Sequence, residues 1–331
     1  MARVGDAVKS LREDDHSGFD RPRRRSRPRT KERPDYSSLP TARIISVDRG
    51  RYRCVLPDGS PVTAVRGRLI DRKGVIVGDV VTLDGDVSGA EGTLSRIVDV
   101  AERRTVLRRS ADDADTFERP IVANADQLFI VTALADPPPR MGMIDRILVA
   151  AFDAQIDPVL CLTKADLASP DELRAAYEPL GVPIVVTDPE ADLTEIRATL
   201  NDRVTVFVGH SGVGKSTLVN RLIPDAHRAT AEVSDLTGKG RHTSTSAIAM
   251  ELPDGGWIID TPGVRSFGIS HVRTSSILGA FPDLSEFADE CPRGCHHETG
   301  AIECALDDAV ADGRLSEERL ASFRRMGRAF A

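Results

Sequence analysis

The chain has 331 residues, 40% of them hydrophobic and 29% charged, with a net charge of −7. That length holds two or three domains, and that composition excludes a disordered or fibrous protein. No apolar run approaches the roughly 20 residues of a membrane-spanning helix, and the N-terminus lacks the apolar segment of a secretory leader. A cytoplasmic protein without membrane contact is therefore expected. The charge is unevenly spread: residues 1–109 carry 24 Lys and Arg against 16 Asp and Glu, and the remainder carry 20 against 35. A basic front third on an acidic chain points to an anionic partner at that end, and nucleic acid is the simplest.

Arg21 to Arg33 has eight positive residues and one negative, interrupted by prolines that oppose helix, so residues 1–39 read as a disordered basic tail. From Thr41 to Leu107 the chain reads as short strands. Ala42–Val47, Tyr52–Leu56, Gly74–Leu83 and Thr93–Val98 are rich in β-branched residues, and turn formers such as Pro57-Asp-Gly-Ser60 and Asp84-Gly85 separate them. About five strands in so short a span fit a small closed barrel of the oligonucleotide-binding (OB) type. Arg51, Arg53, Arg66, Arg68, Arg72 and Lys73 would give it a positive face, and Tyr52 is its one aromatic. Phosphate or shape contacts then fit better than base stacking. Residues 100–120 carry mixed charge without periodicity and read as a linker.

From Asp126 strands and helices alternate. Gln127–Ala133, Pro158–Leu162, Pro183–Val186 and Val204–Val208 read as buried strands, and Met143–Phe152, Glu172–Tyr177 and Leu193–Leu200 as helices between them. That alternation implies a mostly parallel sheet covered on both faces. Thr163, Lys164, Ala165 and Asp166 follow the second strand, where ligand sites of such sheets are built. A carboxylate there can accept from N1–H and the exocyclic amine of guanine together, a donor pair adenine lacks, while the lysine stem lies along the base plane.

Gly209, His210, Ser211, Gly212, Val213, Gly214, Lys215, Ser216 and Thr217 follow the fourth strand and open a helix. This is the phosphate-cradling loop of nucleoside triphosphatases. Its glycines let the backbone N–H groups point inward at phosphate oxygens, and the helix adds its positive end. Lys215 would neutralise the β- and γ-phosphates, and Ser216 would join the magnesium shell. Residues 229–246 are polar and aperiodic, as expected of a loop ordered by nucleotide. Either Thr243 or Thr245 there would complete the magnesium shell. After the strand Gly256–Ile259, Asp260 would hold magnesium through water and the Gly263 N–H would sense the γ-phosphate. Val264 and Arg265 come next, so the glutamine that positions water in Ras-like enzymes is missing. The guanine element also precedes the phosphate loop, the reverse of the Ras-like order.

Three of the five cysteines fall between Cys291 and Cys304, with His296 and His297 among them; Cys54 and Cys161 sit in strand-like runs as packed thiols. Cys291, Cys295 and Cys304 with one of the two imidazoles make a closed tetrahedral zinc site, structural because no position is left for water. Leu315–Arg328 reads as a helix whose Arg319, Arg324, Arg325 and Arg328 face either RNA or solvent.

The order of these blocks is that of a circularly permuted GTPase. From about residue 40 to 328 the layout resembles ribosome small-subunit-dependent GTPase A, a bacterial ribosome-assembly family; Thr163–Asp166, Gly209–Thr217, Gly238–Ala247 with Asp260–Gly263, and the cysteine cluster carry the resemblance. The resemblance implies an OB-fold barrel over 40–108, a permuted GTPase domain over 109–270 and a zinc-binding helical domain over 271–331. It also implies late maturation of the 30S subunit through its 16S rRNA, with subunit-stimulated GTP hydrolysis timing release, one structural zinc, and magnesium with the nucleotide. It selects His297 over His296 as the fourth zinc ligand and points to His242 as the residue that orients the attacking water. This sequence departs at Thr163, where asparagine is commoner, in the spacing around Cys295, and at Val185–Asp188, a poor match to the family's second guanine-contacting loop. The alternatives are an RNA-binding adaptor with a structural, slowly hydrolysed nucleotide, and a permuted GTPase of the large subunit. A monomer is expected.

Overall fold

A computed structural model describes residues 35–71, 74–109, 119–224, 226, 247–262, 268–269, 272 and 277–328. His242, Thr243, Thr245, Gly263, Arg72, Lys73 and the Arg21–Arg33 tail lie outside the described residues. Five strands make the N-terminal barrel: β1 (Thr41–Asp48), β2 (Arg51–Val55), β3 (Pro61–Arg66), β4 (Val80–Asp84) and β5 (Ser95–Val100). They run β1-β2-β3-β5-β4 and close by pairing β4 with β1; β3–β5 is parallel and the other pairs are antiparallel. That is the connectivity of a five-stranded OB barrel. Each strand buries alternate side chains, and Ile44, Cys54, Ala64, Leu83 and Ile97 fill the interior. Burial pushes the Cys54 thiol up to about 12, which leaves it an inert packing group.

Two expectations are corrected in this region. Gly74–Leu83 is not one strand: Val80–Asp84 is a strand and Val77 makes only an isolated bridge to Val122, because the chain turns at Gly78, where φ is +89° and a Cβ would collide with the Ala123 carbonyl. The fifth strand is instead β3, which follows the turn at Pro57–Ser60. The described parts of 100–120 are not a linker either. β6 (Val106–Arg109) pairs antiparallel with β7 (Arg119–Ala123), and Leu107 and Val122 are fully buried. Alternation over four or five residues is too short a pattern to stand out among charges.

The central layer runs β10 (Ile184–Val186), β9 (Asp157–Thr163), β8 (Gln127–Ala133), β11 (Val204–Gly209), β13 (Trp257–Asp260) and β12 (Ile248–Glu251). The first five are parallel and β12 runs antiparallel to β13. β8 and β11 are buried along their whole length, as strands covered on both faces must be. Leu128 and Ile130 of β8 face α1 (Met141–Asp153) and α2 (Asp171–Tyr177). Phe129 and Val131 face α3 (Thr194–Leu200) and α4 (Lys215–Leu222), with Phe129 stacked on Phe207 at 4.9 Å. Chain progression reverses between β8 and β11, which places the site at the carboxyl ends of central strands. Ser46 of β1 pairs with Ile248 of β12, so barrel and central sheet are continuous.

Beyond the sheet lie α5 (Pro282–Ala288), α6 (Ala305–Ala311) and α7 (Glu317–Gly327). Their apolar residues share a core with α1: Phe281 packs edge-on against Phe152 at 5.0 Å and Phe323 at 5.8 Å. Three of the four arginines expected to face RNA or solvent point inward. Arg319 grips Asp283 through two hydrogen bonds of 2.6 and 2.7 Å, and Arg324 grips Asp307 at 2.7 and 2.8 Å. Arg325 donates to the Ala176 carbonyl at 2.8 Å and lies 3.5 Å from Asp145. Arg328 is exposed. Carboxylates on other elements, of which Asp145 is buried and Asp283 and Asp307 are partly exposed, claim these cations, and a helical pattern alone does not reveal such partners.

Candidate functional site

The phosphate loop turns off the end of β11, and α4 begins at Lys215. Gly212 and Gly214 have φ of +86° and +88°, and a Cβ at Gly209 would sit 2.5 Å from the Val131 carbonyl oxygen. The glycines are thus required both by backbone handedness and by close approach to β8. Val213 and Lys215 are buried, while Ser211, Ser216 and Thr217 are exposed on the loop and first helical turn. The His210 Nδ1 lies 2.9 Å from the Ser211 carbonyl, to which its Nδ1–H tautomer donates. The Lys215 ammonium contacts the Asp260 carboxylate and donates to the Thr261 carbonyl at 2.8 Å. Thr261 in turn donates its hydroxyl to the Phe207 carbonyl at 2.7 Å, fixing the end of β13 against β11. Lys215 and Ser216 at the start of α4, which follows β11, and Asp260 at the end of the adjacent parallel strand β13 are the lysine, serine and aspartate expected around a magnesium–triphosphate.

Thr163 ends β9, two strands from the phosphate loop, yet its hydroxyl reaches that loop. It donates to the Val213 carbonyl at 2.6 Å, with the Thr132 carbonyl at 3.2 Å. The hydroxyl that replaces the commoner asparagine thus links the guanine element to the phosphate cradle directly. Lys164 adopts a left-handed φ of +59°, which turns the chain outward, and its ammonium donates to the Asp136 carbonyl. Ala165 donates its N–H to the Thr187 carbonyl at 3.2 Å. Thr187 lies in the Val185–Asp188 segment that its poor motif match argued against, and β10 sets it beside the guanine element. Asp166 is exposed beyond these ties. Asp136 and Thr187 act here through backbone carbonyls, which carry no residue-type signal in a sequence.

The second cluster is Cys291, Cys295, His297 and Cys304, whose ligand atoms all lie within 4.8 Å of one another. The His297 Nδ1 is 3.5 Å from the Cys291 and Cys295 sulfurs and 3.8 Å from the Cys304 sulfur. Tetrahedral bonds of about 2.3 Å to sulfur and about 2.0 Å to nitrogen require nitrogen–sulfur separations of roughly 3.5 Å, so the donor set fits one zinc-sized ion. His297, with φ of +57°, is the imidazole that converges; His296 is not part of the cluster. Burial, then the charge of Arg324, lowers the His297 pKa, which keeps the ring neutral as ligation requires. Burial pushes the Cys291 thiol up to about 11, so binding a metal there must displace its proton. The Ala305 N–H donates to the Cys291 sulfur at 3.3 Å, a contact the sequence did not suggest.

A phosphate loop on a central parallel strand, with the guanine element upstream in the chain but adjacent in space, defines a circularly permuted P-loop GTPase. The barrel on one side and the three-cysteine, one-histidine cluster on the other narrow the class further. The RsgA GTPase family profile matches residues 100–270. Small ribosomal subunit biogenesis GTPase RsgA of Azotobacter vinelandii is 41% identical over 215 residues, 62% of each chain. Its Pseudomonas aeruginosa counterpart is 40% identical over 237 residues, 69% of each. Among solved structures, YloQ, a circularly permuted GTPase, aligns with a TM-score of 0.63 at 26% identity, covering 89% of this chain and 96% of its own. YjeQ from Thermotoga maritima aligns at 0.65 and 25%, covering 88% and 98%. The chain belongs to the RsgA GTPase family. Its match spans 62% of the length of the A. vinelandii relative. No helix among the described residues is long and apolar enough to cross a membrane.

Proposed function

We propose that this protein binds the small ribosomal subunit, assists its late maturation and hydrolyses GTP, faster on the subunit, to time its own release. The observation that supports this most is the 2.6 Å hydrogen bond from Thr163 to Val213. It makes base recognition and the phosphate cradle one rigid unit, with barrel and metal cluster on the same chain as a reader of RNA. Asp166 accepts from guanine, the Lys164 stem lies along the base, and Ala165 joins them. Gly209 to Thr217 cradle the phosphates, with Lys215 on the β- and γ-oxygens. Magnesium, held by Ser216, by Thr243 or Thr245 and by Asp260 through water, would neutralise charge on the departing phosphate oxygens. The Gly263 N–H senses the γ-phosphate. His242 orients the water that attacks phosphorus, and GDP leaves with the cleaved oxygen.

Cys291, Cys295, His297 and Cys304 hold one structural zinc. We place the barrel at 40–105, the GTPase domain from β6 to about 270 and the metal-binding segment beyond, moving the first boundary upstream because β6 pairs with β7. The basic barrel face and the Arg21–Arg33 tail engage 16S rRNA, and the protein works as a cytoplasmic monomer.

Multiple-turnover hydrolysis with GTP or ATP, alone and with purified small or large subunits, tests the reading. Stimulation of GTP hydrolysis by small subunits alone is expected. A flat, slow rate throughout favours the adaptor, stimulation by large subunits the alternative substrate, and equal use of ATP removes Asp166 from base recognition. Replacing His242 by alanine should slow the stimulated rate by about 100-fold without loss of GTP binding; an unchanged rate takes the water from His242.

A further inference from the structure

Three thiolates and a neutral imidazole around a divalent zinc leave one net negative charge, which a partly buried centre must offset. Among the described residues, Arg324 is the cation whose hydrogen bonds reach that cluster. Its guanidinium lies 3.8 Å from the Cys304 sulfur through Nη2 and donates through Nε to the His297 carbonyl at 2.9 Å. Two further bonds, 2.7 and 2.8 Å, fork onto the Asp307 carboxylate at the start of α6. The Arg324 side chain is 10% exposed, so water screens these contacts poorly. On the same helix, Arg325 donates to the Ala176 carbonyl and Ser322 bonds it at 3.1 Å, so α7 joins the cluster to the GTPase core.

We propose that Arg324 is the charge partner and positioning residue of the metal centre, and that Asp307 aims its guanidinium at the Cys304 sulfur. Arg324 thereby tunes the electron density of the thiolates and ties metal loading to the seating of α7. The inference rests on the metal-binding reading given above. It goes beyond that reading by assigning a function to two residues that are not ligands.

The test uses the full chain, once loaded with zinc for chelator competition and once with cobalt for absorption spectroscopy. Removing the positive charge in Arg324→Met should move the thiolate-to-cobalt charge-transfer band to longer wavelength and weaken zinc binding by about 10- to 100-fold. Arg324→Lys, which keeps the charge, should restore the band position. Asp307→Asn, which keeps one acceptor oxygen to aim the guanidinium but removes the neutralising charge, should move the band the opposite way. A purely structural role would not move the band in opposite directions for Arg324→Met and Asp307→Asn. An unchanged band in Arg324→Met, or shifts of the same sign in both variants, overturns the proposal. If Arg324→Met does not fold, the band positions of Arg324→Lys and Asp307→Asn decide. A wild-type chain that binds no stoichiometric metal removes the metal-centre reading itself, an outcome distinct from bound metal with an unmoved band.

Discussion

At Thr163 a single hydroxyl performs two connections, one within the sheet and one to the phosphate loop. Thr163→Val keeps the shape and leaves the buried Val213 carbonyl without its donor, a loss of about 1–3 kcal/mol. Fluorescent-nucleotide titration of the folded variant should then show GTP and GDP binding weakened by roughly 5- to 100-fold; equal affinity would mean the tie carries no binding energy. The ion pair of Asp283 with Arg319 makes a pH-dependent case. The Arg319 guanidinium holds the Asp283 carboxyl below the usual carboxylate range. A lowered folded-state pKa gives stability that is complete above the unfolded value, near 3.9, and lost as pH falls through the folded value. Asp283→Asn should therefore unfold at lower urea than wild type at pH 7, by a small margin because the side chain is 42% exposed. The difference should close below about pH 4. Residue identity made Lys215, Asp166 and the cysteines legible in the sequence, because each carries chemistry in its own side chain. Thr187 and Asp136 were not legible, since their contribution comes from the main chain.

Among elements, the junction between α1 and the C-terminal segment depends on Phe281, 2% exposed between Phe152 and Phe323. Phe281→Ala should cost about 3–5 kcal/mol and loosen α7 before the central sheet. Hydrogen exchange should show early loss of protection over 317–327, and uniform loss across the sheet would mean that the segment and sheet unfold together. β8, β9 and β11 were readable as strands because unbroken apolar runs have one use in a covered parallel sheet. The β6–β7 pair escaped notice because four- and five-residue strands with charged ends have no periodicity to detect. Gly74–Leu83 misled for the opposite reason: β-branched residues continue through Gly78, where a neighbouring carbonyl forces a turn.

Across the whole molecule, charge divides into a basic front third and an acidic remainder, and under the proposed function the basic part is what meets RNA. Each phosphate contact releases counterions, so association with the small subunit should weaken steeply with salt. Deleting residues 1–34 removes the Arg21–Arg33 run and should reduce the slope of log affinity against log salt, measured by co-sedimentation at several ionic strengths. An unchanged slope would leave the tail without a role in binding. The core that the C-terminal segment shares with α1, and the buried Asp145 beside Arg325, hold that segment to the GTPase domain.

Chemistry carried by side chains at short spacing is legible in the chain: the residue types for a triphosphate cradle at Gly209–Thr217, for reading guanine at Thr163–Asp166 and for ligating a metal at Cys291–Cys304. Those features survive without knowledge of the fold because local backbone geometry brings each of them together. Other facts arise only when distant segments meet. The guanine element lies next to the phosphate loop because β9, β8 and β11 are neighbours in one sheet. His297 rather than His296 joins the sulfurs because a left-handed turn aims its ring at them. The arginines of α7 turn inward because carboxylates and carbonyls of α1, α2, α5 and α6 wait there. The energy of a buried charge depends on its partner, and partners far apart in sequence are assigned only by packing.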